Sequence, residues 1–186
     1  MTKAKGFSLI ELLIVVAILL IIAAIAIPNL LRARIAANES SAAASLRTIS
    51  TANTAYASAY GIGYAGDLNH LGPPVGGVPD STHADMLDAG ISGCPLACTS
   101  NFATKAGYNF TYAAPDPAPT AANPNYTFTV VAVPVTFDST GNSTFCVDQT
   151  GVILRDIAGA GAAMTTASGN GCIQDGWVGA TITPIQ

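Results

Sequence analysis

Leu12 to Ile27 form a run of sixteen residues with neither a charge nor a polar side chain, and one carboxylate, Glu11, stands directly ahead of it. Such a run needs cover, from lipid or from other protein. As helix, Phe7 to Ile27 spans roughly 32 Å at about 1.5 Å per residue, which matches a hydrocarbon core of about 30 Å. Lys3 and Lys5 precede the run and Arg32 and Arg34 follow it. Two cations on either side leave the positive-inside rule balanced, so it sets no orientation.

A removable secretory signal would use Lys3 and Lys5 as its basic region and Ala24-Ile25-Ala26 as its cleavage site. Against that stand Glu11 inside the apolar region and a core slightly longer than the usual limit of about 15 residues. A retained membrane anchor accommodates the length but leaves Glu11 in the hydrocarbon near its edge. A lone acid there is costly and calls for a partner.

Lys5-Gly6-Phe7-Ser8-Leu9-Ile10-Glu11-Leu12-Leu13, with Ala23 to Pro28 closing the run, resembles the N-terminus of the type IV pilin and pseudopilin family. The resemblance covers the leader and roughly the first fifty residues. It implies that a prepilin peptidase cuts between Gly6 and Phe7 on the cytoplasmic side and methylates the new amino group of Phe7. The hydrophobic segment then stays on the mature chain in the inner membrane before export to the cell surface. Cleavage leaves a cation at Phe7 four residues before Glu11, on the same helix face. In a staggered bundle Glu11 of one subunit meets the amine of the next, which removes an unpaired charge and sets axial register. The chain departs from the family at Leu20, where many members carry glycine. Pro28 remains as the residue expected to kink the helix.

The family also implies partners: identical subunits in a helical filament, an assembly ATPase and a platform protein. Adhesion or twitching motility is the implied use. The same residues fit a pseudopilin of type II secretion, whose head loops often hold calcium. A different class stays open beside these: a secreted, disulfide-bonded enzyme or binding domain freed by signal peptidase, with its mature start at Ile27 or Pro28.

The chain has 186 residues and a net charge of −4; without Lys3 and Lys5 it is −6, from five basic against eleven acidic side chains. Outside Arg32, Arg34 and Arg47 no basic cluster occurs, so the soluble part has no footprint for a nucleic-acid backbone. Cys94, Cys98, Cys146 and Cys172 are even in number on an exported chain and read as two disulfides. Locality favours Cys94–Cys98 and Cys146–Cys172 among three connectivities. The second stabilises by about 3.5 kcal/mol on the chain-entropy estimate. Cys-x3-Cys, with only His70 and His83 to complete a set and neither at finger spacing, argues against zinc.

Six regions follow. Residues 1–6 are the leader, 7–28 the membrane and filament-core helix, and 29–60 its amphipathic continuation. Residues 61–107 are a glycine- and proline-rich connection, 108–156 an antiparallel sheet, and 157–186 a disulfide-pinned tail. Residues 29–60 lack Gly and Pro and carry Leu46, Ile49, Asn53, Tyr56 and Tyr60 at helical spacing. One helix of about 54 residues, roughly 80 Å long, is expected. Asp80 or Ser81 through Asp88 suggests a short capped helix with Met86-Leu87 as its apolar face. His83 with Asp80, Asp85 and Asp88 raises a metal question that a solvated helix surface answers more simply. Tyr108 to Tyr112 and Tyr126 to Val133 read as strands, the latter ending or bending at Pro134. Thr144 to Asp148 and Val152 to Arg155 read as a hairpin around Gln149-Thr150-Gly151. The fold class is therefore α+β: a long helix whose C-terminal half lies on a four-stranded antiparallel sheet, with Trp177 and Val178 of the tail packing back.

No nucleophile elbow, metalloprotease helix, phosphate loop or dinucleotide fingerprint occurs. The acids Asp138 and Asp148 sit at turns, where Asp is common for backbone reasons. Neither enzyme activity nor a cofactor or metal site is expected. Asn38, Asn109, Asn125 and Asn142 each open an Asn-x-Ser/Thr triplet, a short match that carries little.

Overall fold

The computed structural model describes residues 8–74, 76–93, 102–159, 165 and 167–185. The chain divides into two compact units, one up to Arg34 and one from Ile35 onward. Helix α1 (Leu9–Tyr60) enters both and is unbroken at Pro28. In the first unit the helix is unburied. Every large apolar side chain from Leu9 to Leu31 is at least 45% exposed.

The second unit is α+β. Two short helices, α2 (Leu68–Leu71) and α3 (Ala89–Ser92), lie in the connection after α1. The strands β1 (Phe102–Lys105), β2 (Tyr108–Ala113), β3 (Thr129–Pro134), β4 (Thr144–Asp148), β5 (Ile153–Asp156) and β6 (Ile182–Ile185) follow. They make one antiparallel sheet in sequence order. The apolar stripe of α1 faces it as the spacing predicts: Leu46, Ile49, Asn53 and Tyr56 are fully buried, and Tyr60 packs at the edge of the same core. Burying a Leu or Ile side chain contributes about 1.5–3 kcal/mol.

Four strands were expected, and six form among the described residues. The added pair lies at the two edges. Strand β1 falls in the glycine-rich connection and meets β2 through Ala106-Gly107, both at positive φ (49° and 74°). This is the two-residue turn whose usual sequence signal is Asn-Gly or Asp-Gly, and alanine conceals it. Strand β6 carries Pro184, which is tolerated because the strand is an edge. Strand β3 begins at Thr129, three residues after the expected Tyr126. The preceding Asn125 is held by the connection, where Tyr64 N–H donates to its carbonyl (2.9 Å). Gly63, at φ +77°, passes so close to the Asn125 backbone that a Cβ would collide with it.

The helix expected between Asp80 and Asp88 does not form. The Asp80 carboxylate takes the backbone N–H groups of Thr82 (2.7 Å) and His83 (3.0 Å), closing a turn. Asp85 sits in left-handed backbone (φ 54°), which no helix continues through. Asp88 instead caps α3, accepting from Gly90 N–H at 2.8 Å.

Both faces of the central strands are covered, so β4 is buried at every residue rather than alternately. Val130, Ala132, Phe145 and Val147 join the α1 core, while Val131 and Cys146 meet Cys172 and Trp177 on the other face. Cys146–Cys172 is a disulfide with Cα atoms 6.0 Å apart, as locality suggested. Trp177 packs back as expected (1% exposed); its neighbour Val178 does not (63%). Cys94 and Cys98 lie outside the described residues.

Candidate functional site

Of the residues singled out by the sequence, Glu11 lies in the first turn of α1 and Pro28 inside the helix. Gly6 and Phe7 lie outside the described residues; Ser8 and Glu11 are inside them. Ser8 precedes the helix, and its N–H donates to Glu11 Oε2 at 2.9 Å. Glu11 N–H donates back to the Ser8 carbonyl at 3.1 Å. Ser8-Leu9-Ile10-Glu11 thus has the spacing of a capping box, with the carboxylate satisfying an orphan donor at the helix start. The sequence carried this signal openly. A charge in apolar surroundings is the louder signal at Glu11, and its spacing from Ser8 the quieter one.

One other polar side chain interrupts the segment. Asn29 Nδ2 donates to the Ile25 carbonyl at 3.1 Å. Pro28 has no N–H to offer the Ala24 carbonyl, so the turn around it has one backbone bond fewer, and Asn29 adds a side-chain bond next to the gap. Both polar groups between Leu9 and Leu31 therefore find partners in the helix or in the residue just before it. What remains facing outward is aliphatic, a surface suited to lipid or to other apolar helices. By length and composition α1 is long and apolar enough to cross a membrane.

In the second unit, a clamp that the sequence did not reveal ties α1 to the sheet. Asn38 Nδ2 donates to the Thr140 carbonyl (2.9 Å), and Glu39 Oε1 accepts from Asn142 N–H (3.0 Å). Glu39 Oε2 meets Arg155 Nη2 at 2.9 Å, while Arg155 Nε donates to Ser143 Oγ at 3.0 Å. Asn38 and Glu39 thereby hold the β3–β4 loop and β5. Sequence separations above a hundred residues made these partners invisible beforehand.

The tail is held by a second polar centre. Asp175 accepts from Thr129 Oγ1 (2.7 Å), Ser168 N–H (2.7 Å) and Asn170 Nδ2 (3.2 Å). Burial pushes its carboxyl up, but these hydrogen bonds outweigh that and hold it below the ordinary value. Asp67 behaves alike: burial opposes ionisation, and hydrogen bonds from the His70 ring (2.7 Å) and backbone (2.9 Å) prevail, leaving it lowered. Tyr56, its hydroxyl on the Ser81 carbonyl at 2.6 Å, is pushed up to about 12 by burial and by the neighbouring Tyr60, Asp67 and Asp80. Asp138 and Asp148 do not converge on a site. Asp138 is exposed on a turn, whereas Asp148 is buried and accepts from Cys172 N–H at 2.8 Å. Among the described residues no three His, Cys, Asp or Glu side chains gather as metal ligands.

The prokaryotic N-terminal methylation motif matches residues 1–27. The type IV wide pilus major component PilA4 of Thermus thermophilus is 67% identical over 39 residues, which are 21% of this chain and 30% of that protein. The type IV major pilin protein PilA of Myxococcus xanthus is 34% identical over 130 residues, 64% of this chain and 58% of that protein. The chain thus spans less than two thirds of the length of these curated relatives. No solved structure matches it significantly. The shorter match is the stronger in identity, and the longer one, at 64% of the chain, is too long to be confined to the first unit. The chain therefore carries the prokaryotic N-terminal methylation motif at the head of a long helix that runs into an α+β body, and the curated proteins it resembles are type IV pilins.

Proposed function

We propose that the chain is a structural, non-enzymatic subunit of a type IV pilus. A prepilin peptidase removes residues 1–6 and methylates Phe7. The mature chain is stored in the inner membrane by the apolar part of α1, and identical subunits then polymerise with an assembly ATPase and a platform protein. The apolar helix forms the core of an extracellular fibre and the acidic body its exterior, for adhesion or twitching. The head has no role in binding nucleic acid.

The observation that carries this reading is the aliphatic surface from Leu9 to Leu31, at least 45% exposed at every large apolar residue and largely covered by the methylation motif. A monomer in water has no use for such a surface; membrane storage and then a bundle use it twice. Mass spectrometry of the mature N-terminus tests the reading. N-methylated phenylalanine at Phe7 on protein sheared from cells as fibres supports it, and a mature start at Ile27 or Pro28 rejects it.

A further inference from the structure

Two cations stand apart from the rest of the charge in this protein. Lys105 lies 3.9 Å from Asp88, Arg155 is on Glu39, and Arg47 is also engaged. Arg32 and Arg34 are exposed and make no hydrogen bond or ion pair with any described residue. They follow Leu31, the last residue of the exposed aliphatic surface. From Leu9 to Arg32 the helix rises about 35 Å, so an anchor that fills the hydrocarbon delivers both arginines to the headgroup layer. Two residues apart, they stand on opposite sides of the helix rather than together. Helical side chains lean toward the N-terminus, which here is back toward the membrane.

We propose that Arg32 and Arg34 form a collar that binds anionic lipid phosphates in the leaflet next to the protein body and fixes the depth of the stored subunit. The inference rests on the membrane-storage reading and adds a partner to it. Charge complementarity favours this occupant. Residues 35–186 carry three basic against ten acidic side chains, a net −7, so an anionic bilayer repels the body and is attracted only here. Guanidinium groups suit bidentate contact with phosphate, and their aliphatic stems can lie along the upper acyl chains. Placement on opposite faces makes the contact independent of how the helix is rotated.

The test uses the full-length processed chain reconstituted in phosphatidylcholine vesicles doped with phosphatidylglycerol. Spin-labelled lipids report which species the protein immobilises. The expected result is a phosphatidylglycerol preference of about fivefold over phosphatidylcholine, weakened by salt. In R32Q/R34Q that preference is lost, although the variant still floats with the vesicles. An undiminished preference in the double variant overturns the proposal. So does a wild-type chain that inserts without preference; if R32Q/R34Q then also lowers fibre yield, the arginines serve carboxylates of a second copy instead. Failure of the wild type to float at all sinks the storage reading itself, a result distinct from the others.

Discussion

Glu11 is asked to do two jobs, and one substitution tells them apart. Its carboxylate caps Ser8 N–H inside its own helix, and the proposed filament requires its charge to meet the amine of a neighbouring Phe7. Glutamine serves as well as glutamate at this position of a capping box but carries no charge. We therefore expect Glu11→Gln to preserve the helix start and membrane insertion while abolishing fibres, as Glu11→Ala also does; fibre yield in the sheared fraction against membrane-fraction protein is the measurement. Normal fibres from Glu11→Gln would reduce the residue to a cap. In the body, Asp175 and Asp67 act through ionisation. Both hold protons less readily folded than unfolded, so between their folded values and about pH 4 the unfolded chain binds more protons. Their contribution is complete above about pH 4 and lost as the pH falls through the lowered folded values. Thermal unfolding of the detergent-solubilised chain should show a fall in Tm below about pH 4, smaller in Asp175→Asn. At neutral pH, Asp175→Ala should cost about 1–3 kcal/mol for the donors it leaves unpaired.

Helix α1 shows how one element answers to two different environments. Ile49 and Ile21 are the same residue on the same helix, one fully buried and one 63% exposed. Ile49→Ala should cost the body about 2–5 kcal/mol, read as a drop in denaturation midpoint. Ile21→Ala should leave that midpoint unchanged and act only on assembly, through lost packing between subunits. A reversed ranking would mean that the exposed segment folds onto the body. The contrast also explains what was legible beforehand. The stripe Leu46, Ile49, Asn53, Tyr56 was readable because helical periodicity is local, and Asn53 fitted because a buried amide accepts from Ala65 N–H (3.1 Å) and Tyr112 Oη (3.2 Å). Strand β2 was readable by its alternation of aromatic and polar residues, β3 by its density of Thr, Phe and Val, and β4 with β5 by the turn between them. Strands β1 and β6 were not, since an edge strand has one pairing neighbour and needs no strong pattern of its own. The Asp80–Asp88 segment misled because an Asp that caps a helix and an Asp that closes a turn look alike until the following backbone is known. For the candidate site, Glu11 was found by its charge, whereas the Asn38–Glu39 clamp and the Asp175 centre depend on partners brought together only by the fold.

For the whole molecule, the relevant property is the net charge that the proposed polymer would carry. The proposed removal of the leader would leave −6 on each chain, and residues 35–186 hold −7 of side-chain charge. In the proposed fibre these acidic bodies face outward at high local density, so neighbouring fibres repel one another at neutral pH. The full chain has an isoelectric point near 4.8, and loss of two lysines lowers it further. Fibres sheared into dilute buffer at pH 7 should therefore stay separate, and should associate side by side as the pH approaches about 4.5, where proteins of near-zero charge precipitate. Monovalent salt should weaken the repulsion at pH 7, since its range falls to about 8 Å at physiological ionic strength. Turbidity with electron microscopy across pH distinguishes bundling from depolymerisation. If the helix core is purely apolar apart from the Glu11 pair, fibres should bundle before they come apart, because titrating surface acids leaves the core contacts intact. Dissociation into subunits above pH 5, with no bundling first, would mean that contacts between the acidic bodies, and not the aliphatic helices, hold the polymer together.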